Sequence, residues 1–552
     1  MVVINVFDRV VNAVNPVAGL KRYAARRTLK VLNTGYGDGG ASLSKKALKG
    51  FTGISASPAQ DIDANHRILV NRSRELYMNT PIGASAIKTT RTNVVGSGLR
   101  LKPRIDYEFL GLTQEQAIEW EKTVQREFDL WADTKLCDSL RLNNFYEMQG
   151  LVFLGQLMNG DGFCLLKFQK PSWFMPYGLR LQLLEADRVC TPYTYGIGTG
   201  NSLVPYWGRN PQNNNEIYSG VEIDSDGGVL AYWICNQYPY QMTTYNFTAP
   251  AWTRVEAWGA KTGRPNVLHL FDAERAEQRR GVPMLAPVIE PLLQLGRYTE
   301  AELMAAVVSG MFTVFIKTEG PSSEMPLGEG IPIDAVPVET DETEYQLGNG
   351  AVVPLGLNES IEVADPKRPN VVFDAFITAI CKEVGAALEI PTELLLKSFT
   401  SSYSASRAAL LEAWKMFRMR RGWLAQGFCQ PVYEQFLTEA VASGRIKAPK
   451  FFDDPIIRKA WCGATWNGPA PGMLDPTKEV SAAKMRVDNG FSTREEETVG
   501  LTGGDYARNI QQLQKENQLL AEANKSLNPV MPSGPGAIPA LKNTWKGNDS
   551  ET

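Results

Sequence analysis

Apolar residues recur at helical spacing through much of the first third of the chain. Residues 62–95 show this pattern twice, and Pro81 marks the start of the second predicted helix. Further amphipathic helices are predicted at residues 114–131, where Thr113 is the expected N-cap, and at residues 145–158. We therefore expect packed helices in this region.

Short segments that resemble strands follow these helices. Residues 163–168 and 179–184 predict a hairpin or a strand pair, and residues 229–234 and 267–271 predict strands between turns. The region 190–270 is rich in Gly, Pro, Asn and aromatic residues and has no regular repeat. Its aromatic residues fit the core of a β layer, which is the commoner case, or a sugar-binding cleft. The pattern as a whole predicts an α+β fold.

Residues 284–316 predict the longest helix, with Pro287 and Pro291 placed early, where they would kink or restart it. The apolar stretch 303–316 is shorter than the ~20 residues that a membrane helix needs, so a buried helix is expected there and no membrane partner. Small residues are frequent in its interior: Ala301, Ala305, Ala306, Ser309 and Gly310. They suit a helix that packs inside a domain and equally one that packs against copies of itself.

Residues 318–366 form the most unusual stretch because they contain eleven acidic residues and no Lys or Arg. We expect a folded protrusion with a concentrated negative field; a solvated acidic loop is the alternative. A second helix is predicted at residues 370–388, closed by Ile390-Pro391. The predicted order of elements is therefore a helix, an acidic segment that protrudes from the fold, and a second helix.

A Ser/Thr-rich segment at residues 394–406 predicts a mobile loop. The following residues, 407–424, predict a partly basic helix. A heptad pattern of Ile510, Leu513 and Leu520 predicts a weak helical contact, and the tail from residue 528 is expected to be disordered.

Composition narrows the class of protein. A chain of 552 residues with 43% hydrophobic residues should fold into roughly two to four domains. The formal charge of −3 means that the chain as a whole lacks the excess of positive charge typical of a tight DNA-binding protein. The first 50 residues nevertheless carry a formal charge of +7. Seven cysteines without a CxxC spacing argue against disulfides and thiolate metal sites, which fits a reducing compartment.

Catalytic motifs are missing. The sequence contains no P-loop, HExxH or GxSxG, and its two histidines, His66 and His269, lie about 200 residues apart, which leaves little for His-based catalysis or metal binding. The glycines at 35–40 match GxGxxG without a preceding strand and are interpreted as a linker. His269 lies in an apolar run and is expected to be a satisfied core histidine. We expect no enzyme activity, no cofactor and no metal.

Several short motifs, in this order, resemble those of the lambda-type portal proteins of tailed bacteriophages over nearly the full length. They are Asn71-Arg-Ser-Arg-Glu-Leu76, Asn93-Val-Val-Gly-Ser-Gly98, Leu183-Leu-Glu-Ala-Asp-Arg-Val189, Gly220-Val-Glu-Ile-Asp224, Arg280-Gly-Val-Pro283, Ser402-Tyr-Ser-Ala-Ser-Arg407, and Trp466 through Asp475-Pro-Thr-Lys-Glu479. Each motif alone is weak, whereas their order and spacing make the joint match specific.

This resemblance implies a ring, normally of twelve copies, at the capsid vertex, assembled in the host cytoplasm and retained in the virion. Double-stranded DNA would pass through it during packaging and ejection. The implied partners are the terminase large subunit, a head-completion or adaptor protein, and the major capsid and scaffolding proteins.

The resemblance also implies a portal fold with wing, stem, clip, tunnel loop and crown. The boundaries are 1–60 for a basic arm and linker, 61–283 for the wing, 284–316 for the first stem helix, 317–368 for the acidic clip, 369–390 for the second stem helix, 391–450 for the tunnel loop and following helix, 451–527 for the crown, and 528–552 for the tail.

Three sets of site residues follow from the resemblance. The tunnel loop, expected to make weak phosphate contacts, comprises Lys397, Ser398, Phe399, Thr400, Ser401, Ser402 and Tyr403. The basic residues expected to flank the channel are Arg407, Lys415 and Arg418. The clip residues, expected to repel DNA and to dock basic partner surfaces, are Glu319, Glu324, Glu329, Asp334, Glu339, Asp341, Glu342 and Glu344.

Two rival interpretations belong to other classes. One is a soluble multidomain carbohydrate-active enzyme that uses an aromatic cleft and paired carboxylates; it would be a monomer or small oligomer. The other is a different phage structural protein, such as a capsid subunit, which would form shells or lattices. Images of the purified protein separate all three, because only a portal forms closed rings.

Overall fold

A computed structural model describes most of the chain. The described residues are 11, 13–32, 45–51, 53, 55–196, 204–239, 250–310, 314–318, 359–363, 373–399, 402–473 and 475–527. They form two compact units, one up to Asp61 and one from Ile62 onward. The first unit contains the basic helix α1, Pro16–Leu32, on which Val17 and Leu20 are both 66% exposed.

The second unit mixes helices and strands, which confirms the α+β prediction at that level. Its helices are α2 His66–Asn79, α3 Pro81–Val94, α4 Gln114–Ala132, α5 Phe145–Asn159, α6 Ile289–Gly310, α7 Phe373–Ala387, α8 Thr392–Leu396, α9 Tyr403–Leu424, α10 Gln430–Ala442, α11 Pro455–Trp461, α12 Pro476–Asp488, α13 Arg494–Thr502 and α14 Tyr506–Leu527. Its strands are β1 Arg100–Pro103, β2 Asp161–Phe168, β3 Leu179–Leu184, β4 Trp207–Arg209, β5 Glu216–Tyr218, β6 Val221–Ile223, β7 Val229–Cys235, β8 Trp252–Glu256, β9 Val267–Phe271, β10 Val314–Thr318, β11 Glu359–Val363 and β12 Ala464–Asn467.

The strands form separate antiparallel sheets. Strand β2 lies at the centre of a three-stranded sheet in the order β3-β2-β9, where Cys164 is paired with Leu183 on one side and Leu268 on the other. Strands β4 to β8 form a five-stranded sheet in chain order. Two-stranded pairs join β1 with β12 and β10 with β11. In the part of the chain described, no helix is both long and apolar enough to cross a bilayer.

An aromatic cluster forms the centre of the main core. Phe128 of α4 makes edge-on contacts with Phe145 of α5 and Phe436 of α10, at centroid distances of 5.6 and 5.2 Å. Trp131 is fully buried beside them and donates its indole N–H to the carbonyl of Leu179. Edge-on ring pairs contribute about 0.5–1.5 kcal/mol beyond the area they bury, so this cluster ties three helices to the sheet.

Local sequence signals set the ends of the predicted helices. Thr113 and Gln116 form a capping box at the start of α4, and Asn144 forms another with Glu147 at the start of α5. Helix α5 ends at Gly160, whose φ of +84° is a left-handed conformation that glycine adopts without steric cost. These predictions are confirmed to within a residue or two.

The five-stranded sheet buries part of the aromatic region. Trp233 is 6% exposed, and its indole N–H donates to Glu222, which also accepts from Arg254. Burial by itself would raise the pKa of Glu222, but the Arg254 pairing and hydrogen bonds from Asn213, Asn215 and Trp233 outweigh it and lower the pKa to about 2. The polar groups of Trp233, Glu222 and Arg254 are therefore hydrogen-bonded to one another within the sheet. All seven cysteines are buried and free, as expected.

The predicted helix at 284–316 differs from the observed structure at both ends. A short helical turn around Pro287 precedes α6, which begins at Ile289 and carries Pro291 in its first turn, where the missing N–H costs nothing. Strand β10 begins at Val314, because antiparallel pairing with β11, Glu359–Val363, selects a strand for that apolar segment. The restart expected at the prolines is confirmed, and the prediction of helix at residues 314–316 was wrong.

The prediction of a buried helix at 303–316 was also wrong at residues 303–307, whose burial the structure describes. Leu292 and Leu295, in the first half of α6, are 1% and 5% exposed. In the second half, Leu303, Met304 and Val307 are 64%, 58% and 46% exposed. Within one chain, Leu292 and Leu295 of α6 are therefore covered, whereas Leu303, Met304 and Val307 are exposed.

The Ser/Thr-rich loop is shorter than predicted. Residues Leu394 to Leu396 belong to helix α8, and α9 already begins at Tyr403, so only residues 397–402 connect the two helices. The apolar Leu395, 1% exposed, holds α8 in the core, and Ser402 supplies an N-cap for α9. Helix α7 was predicted at 370–388 and is described from Phe373 to Ala387.

Candidate functional site

The predicted tunnel loop starts from a fixed base. The hydroxyl of Ser85 on α3 donates to the carbonyl of Leu395 at 2.7 Å, which ties α8 to the helical core. Lys397 ends α8 in a left-handed conformation with a φ of 54°, and its N–H bonds back to Glu393. This turn is uncommon for a residue with a side chain and directs the chain sharply out of the helix. Lys397, Ser398 and Phe399 are all exposed beyond it.

The other end of the loop is a helix start. The Ser402 hydroxyl accepts from the N–H of Ala405, so it is engaged as a cap. Tyr403 is the first residue of α9. Thr400 and Ser401 lie outside the described residues, as do the predicted clip residues: Glu319, Glu324, Glu329, Asp334, Glu339, Asp341, Glu342 and Glu344.

The basic residues of α9 divide into an outward and an inward set. Lys415 and Arg418 are exposed, with Lys415 paired to Glu412 at 2.5 Å. Arg421 turns inward and donates to the carbonyls of Asn93, Val94 and Pro469, so it holds α3 and the segment after β12 together.

Burial changes the ionisation of the inward set. It lowers the pKa of Arg421 to about 10, with Arg418 adding to the effect. Burial likewise lowers the pKa of Arg420, whose Nε has no hydrogen-bond partner among the described residues. Arg407 is half-buried and lies 3.7 Å from Glu479. Of the three residues expected to flank the channel, Lys415 and Arg418 are therefore the more accessible.

A surface cleft separates α7, α8 and α9. It has a volume of about 670 Å³ and is lined by Lys382, Glu389, Glu393, Glu412 and Lys415 together with apolar residues. The mixed charges leave no strong field of one sign. The cleft therefore lacks the concentrated positive charge that a tight phosphate site uses.

The structure brings together residues that the sequence analysis kept apart. The carboxylate of Asp161, fully buried at the start of β2, lies 2.9 Å from His269 Nε2 and 3.1 Å from His66 Nε2. Arg280 donates to it at 2.8 Å, and the N–H of Gly281 donates at 2.7 Å. Both histidines of the chain thus meet one carboxylate, which we call the Asp161 cluster: Asp161, His66, His269 and Arg280.

Electrostatics explain the ionisation of this cluster. Burial alone would raise the pKa of Asp161, but Arg280 and the hydrogen bonds from the two histidines hold it well below its ordinary value. Burial lowers the pKa of His269, whose other ring nitrogen faces the hydroxyl of Tyr232 at 3.4 Å. The favoured state is a carboxylate paired with Arg280 beside a neutral imidazole of His269.

Arg280 joins three segments of the chain. Besides Asp161, its guanidinium donates to the carbonyls of Val189, Ser219 and Ala186. Gly281 packs so closely against the backbone of Gly160 that a Cβ would not fit. The portal-like motifs around residues 183–189 and 280–283 therefore meet in space, and that resemblance was the available sequence signal for the cluster.

The contacts of the cluster join distant segments of the chain. Asp161 accepts hydrogen bonds from Arg280, the N–H of Gly281 and His269, and lies 3.1 Å from His66 Nε2. Among those residues, no group of three or more His, Cys, Asp or Glu side chains is arranged to hold a metal ion. A cavity of about 680 Å³ opens beside the cluster and is lined partly by Asp63, His66, Asn71 and Arg280.

Comparison of the chain with known protein families gives its class. The chain matches the family described as phage portal protein, lambda family, over residues 44–421, and it belongs to this family. The portal protein of Escherichia phage N15 is 24% identical over 501 residues, which covers 88% of this chain and 90% of that protein.

Two further proteins align with about four fifths of this chain. Portal protein B of Escherichia phage lambda is 24% identical over 473 residues, covering 81% of this chain and 84% of that protein. Among solved structures, a chain from the neck of a native GTA particle computed with C12 symmetry has 13% identity and a TM-score of 0.38, covering 79% of this chain and 93% of that chain.

Proposed function

We propose that copies of this chain close into a ring at the capsid vertex, through which double-stranded DNA enters during packaging and leaves during ejection. The observation that carries this proposal, together with family membership, is the exposed apolar second half of α6. Leu303, Met304 and Val307 form a surface that water solvates poorly. A neighbouring copy would cover it, which also accounts for the small residues in this helix.

In this ring the loop at 397–402 faces the passing DNA. Lys397 and Ser398 are exposed at the end of a firmly anchored helix, so each copy offers one cation and one hydroxyl to a phosphate. Such contacts are individually weak, and weak contacts suit a channel because every strong phosphate contact slows release. Lys415 and Arg418 lie on the exposed face of α9 and flank this loop.

The acidic segment at 318–366 completes the proposed channel. Its excess of carboxylates repels DNA and attracts basic surfaces of the terminase large subunit and of a head-completion or adaptor protein. The wing would contact the major capsid and scaffolding proteins. In this proposal the protein works in the virion and assembles in the host cytoplasm, without catalysing a reaction and without a cofactor or metal.

Imaging of the purified full chain tests the ring directly. We expect electron micrographs to show closed rings with a central hole about as wide as a DNA duplex. A stable monomer under assembly conditions would overturn the proposal, as would flat lattices or shells, which belong to a capsid subunit. Sugar hydrolysis abolished by one side-chain replacement would favour the enzyme interpretation.

Lys397→Glu tests the tunnel loop. In a phage that carries this variant, we expect normal rings and a several-fold fall in the fraction of filled heads that keep their DNA, because each copy then repels phosphate. The matched control is Lys450→Glu, since Lys450 is also exposed and also has a left-handed backbone, with a φ of 62°. Equal retention in the two variants would contradict the assignment of the loop.

A further inference from the structure

Cys190 and Cys235 lie next to each other, although they belong to different segments of the chain. Val189 and Ile234 form an antiparallel pair, and the N–H of Cys190 donates to a carbonyl of β7 at 3.2 Å. Because side chains alternate between the two faces of a strand, both cysteines should project from the face opposite to that of Val189 and Ile234. They do, since the two cysteines pack with Val204, whereas Val189 and Ile234 pack in a separate apolar cluster.

Ordered neighbours hold the two sulfur atoms together. A hydrogen bond joins the two thiols. The indole N–H of Trp252 donates to Cys190 Sγ at 3.3 Å, and Arg188 Nε donates to the carbonyl of Cys235 at 3.0 Å. Gly220 approaches the backbone of Cys190 so closely that a Cβ there would lie 2.5 Å from the Cys190 nitrogen. The position of each cysteine is therefore fixed on both its side chain and its backbone.

The hydrogen bond between the thiols makes one of them much the stronger acid. It lowers the pKa of Cys235 to about 6, and the backbone N–H groups of Gln237 and Asn236 and the charge of Arg188 act in the same direction, against burial. The same hydrogen bond, together with burial, raises the pKa of Cys190 above its ordinary value. The favoured state at neutral pH is a thiolate at Cys235 that accepts from the thiol of Cys190. A thiolate is the form of cysteine that attacks an oxidant.

A cavity gives small molecules access to these cysteines. The cavity of about 680 Å³ beside the Asp161 cluster is also lined by Cys190, Val204 and Tyr206. Cys190 and Cys235 themselves are only 5% and 0% exposed, which shields them from bulky reagents. Hydrogen peroxide is little larger than a water molecule and fits easily into a cavity of this volume. The structure therefore favours a small oxidant.

A second pair of neighbouring cysteines lacks these features. Cys137 lies close enough to Cys164 to contribute to the raised pKa of its thiol, but burial is the main cause of the raised pKa at both residues. Their thiols donate to the backbone carbonyls of Thr134 and Leu165, at 3.1 and 3.8 Å. Neither is among the described residues that line the cavity. Cys137 and Cys164 therefore serve as an internal control.

We propose that Cys190 and Cys235 are a modification site at which hydrogen peroxide forms an intramolecular disulfide bond. The Cys235 thiolate attacks one peroxide oxygen, the O–O bond breaks, and the hydroxide that leaves takes the proton of Cys190 and becomes water. The Cys190 sulfur then attacks the sulfur of the sulfenic acid at Cys235, the S–O bond breaks, and the second hydroxide takes a proton from solvent. The two thiols together lose two electrons and two protons, and the peroxide is reduced to two molecules of water.

The bond ties the segment that follows β3 to strand β7. It closes a loop that contains strands β4, β5 and β6, which restricts the unfolded chain. The chemistry of the two cysteines is independent of the proposed ring. In the proposed function, the chain folds with both thiols reduced in the host cytoplasm, and the bond forms later, when the virion is exposed to an oxidising medium.

Mass mapping of the full natural chain tests the site. The protein is treated with hydrogen peroxide, the remaining thiols are alkylated under denaturing conditions, and the chain is digested without reduction. We expect a disulfide between Cys190 and Cys235 as the main product, whereas Cys137 and Cys164 should be recovered as alkylated thiols. Recovery of Cys190 and Cys235 as alkylated thiols, or as separate sulfinic acids, would overturn the inference.

Two variants and a stability measurement sharpen the test. Cys190→Ser should give no disulfide at Cys235, and Cys137→Ser should leave the yield of the disulfide unchanged. Peroxide should raise the unfolding midpoint of the natural chain by several degrees, and a thiol reductant should reverse this rise. The midpoint of Cys190→Ser should not change. Equal shifts in the natural chain and in this variant, or a disulfide between Cys235 and a different cysteine, would contradict the assigned bond.

Discussion

Residues 61–283, the proposed wing region, and helices α6 and α7, the proposed stem pair, differ in how their side chains are buried. In the wing region the charged groups at the centre find partners within the chain, as Asp161 does with Arg280. In the stem pair, Phe376 of α7 is 44% exposed and the second half of α6 is more exposed still. Charged groups at the centre of the first region are thus paired within the chain, whereas apolar side chains of the second are exposed in a single chain. Substitutions should therefore damage folding in one region and assembly in the other.

Arg280→Met should have the largest effect on folding. It leaves the buried carboxylate of Asp161 without its cation and frees three backbone carbonyls, so the free energy of unfolding should fall by about 3–5 kcal/mol. Denaturant unfolding of the monomeric variant measures this. Arg275→Met, at an exposed neighbouring position, should change it by less than about 0.5 kcal/mol, and a similar loss in both variants would contradict the role of the cluster.

Asp63→Asn should change the pH dependence of stability. Burial, opposed by Arg280, raises the pKa of Asp63 to about 7, so the folded state holds this proton more tightly than the unfolded chain. The contribution of Asp63 to stability is then present below pH 4 and is lost as the pH rises to about 7. Because one pKa unit corresponds to about 1.4 kcal/mol, the variant should gain on the order of 4 kcal/mol relative to the natural chain between pH 4 and pH 8.

Unfolding midpoints of both proteins at several pH values check this expectation. The pKa of His269 is lowered by burial, so its contribution has the opposite sign and falls in acid below about pH 6.5 in both proteins. Taking the difference between variant and natural chain isolates Asp63. A difference that does not vary with pH would show that Asp63 is ionised alike in the folded and unfolded states.

Leu303→Asp combined with Val307→Asp should have the smallest effect on folding and a large effect on assembly. Both positions are exposed in the single chain, so the unfolding of the monomer should change by less than about 1 kcal/mol. Rings should be lost because two charges per copy would be buried between neighbours. Sedimentation and electron microscopy measure assembly. Ile118→Asp with Leu130→Asp, at exposed sites on α4, should leave the rings intact.

Sequence patterns predicted helices α2 to α5 and strands β2, β3, β7 and β9 closely, and they missed the shorter strands β1, β4, β5, β6 and β8. The ends of α4 and α5 depend on Thr113, Asn144 and Gly160, whose effects act within a few residues. The same reasoning failed at residues 314–316, where an apolar run fits a helix or a strand and the partner strand starts more than 40 residues later. It also missed the short helix α8, which is held by Leu395 in the distant core.

The candidate site was predictable only in part. The order of portal-like motifs located the loop at Lys397 and the basic face of α9. It did not distinguish Arg418, which is exposed, from Arg421, which donates to carbonyls of two distant segments. Both are arginines in one helix, and only the packing around that helix determines which of them is exposed and which is bonded to backbone carbonyls.

The sequence by itself determined where α4 and α5 begin and end, which stretches carry net charge, and which family the chain resembles, because these depend on neighbouring residues and on the order of motifs. Tertiary structure alone decided that His66 and His269 share one carboxylate and that the second half of α6 remains uncovered. The physical reason is that contacts between distant segments depend on how the whole chain packs, and spacing along the sequence carries no record of that packing.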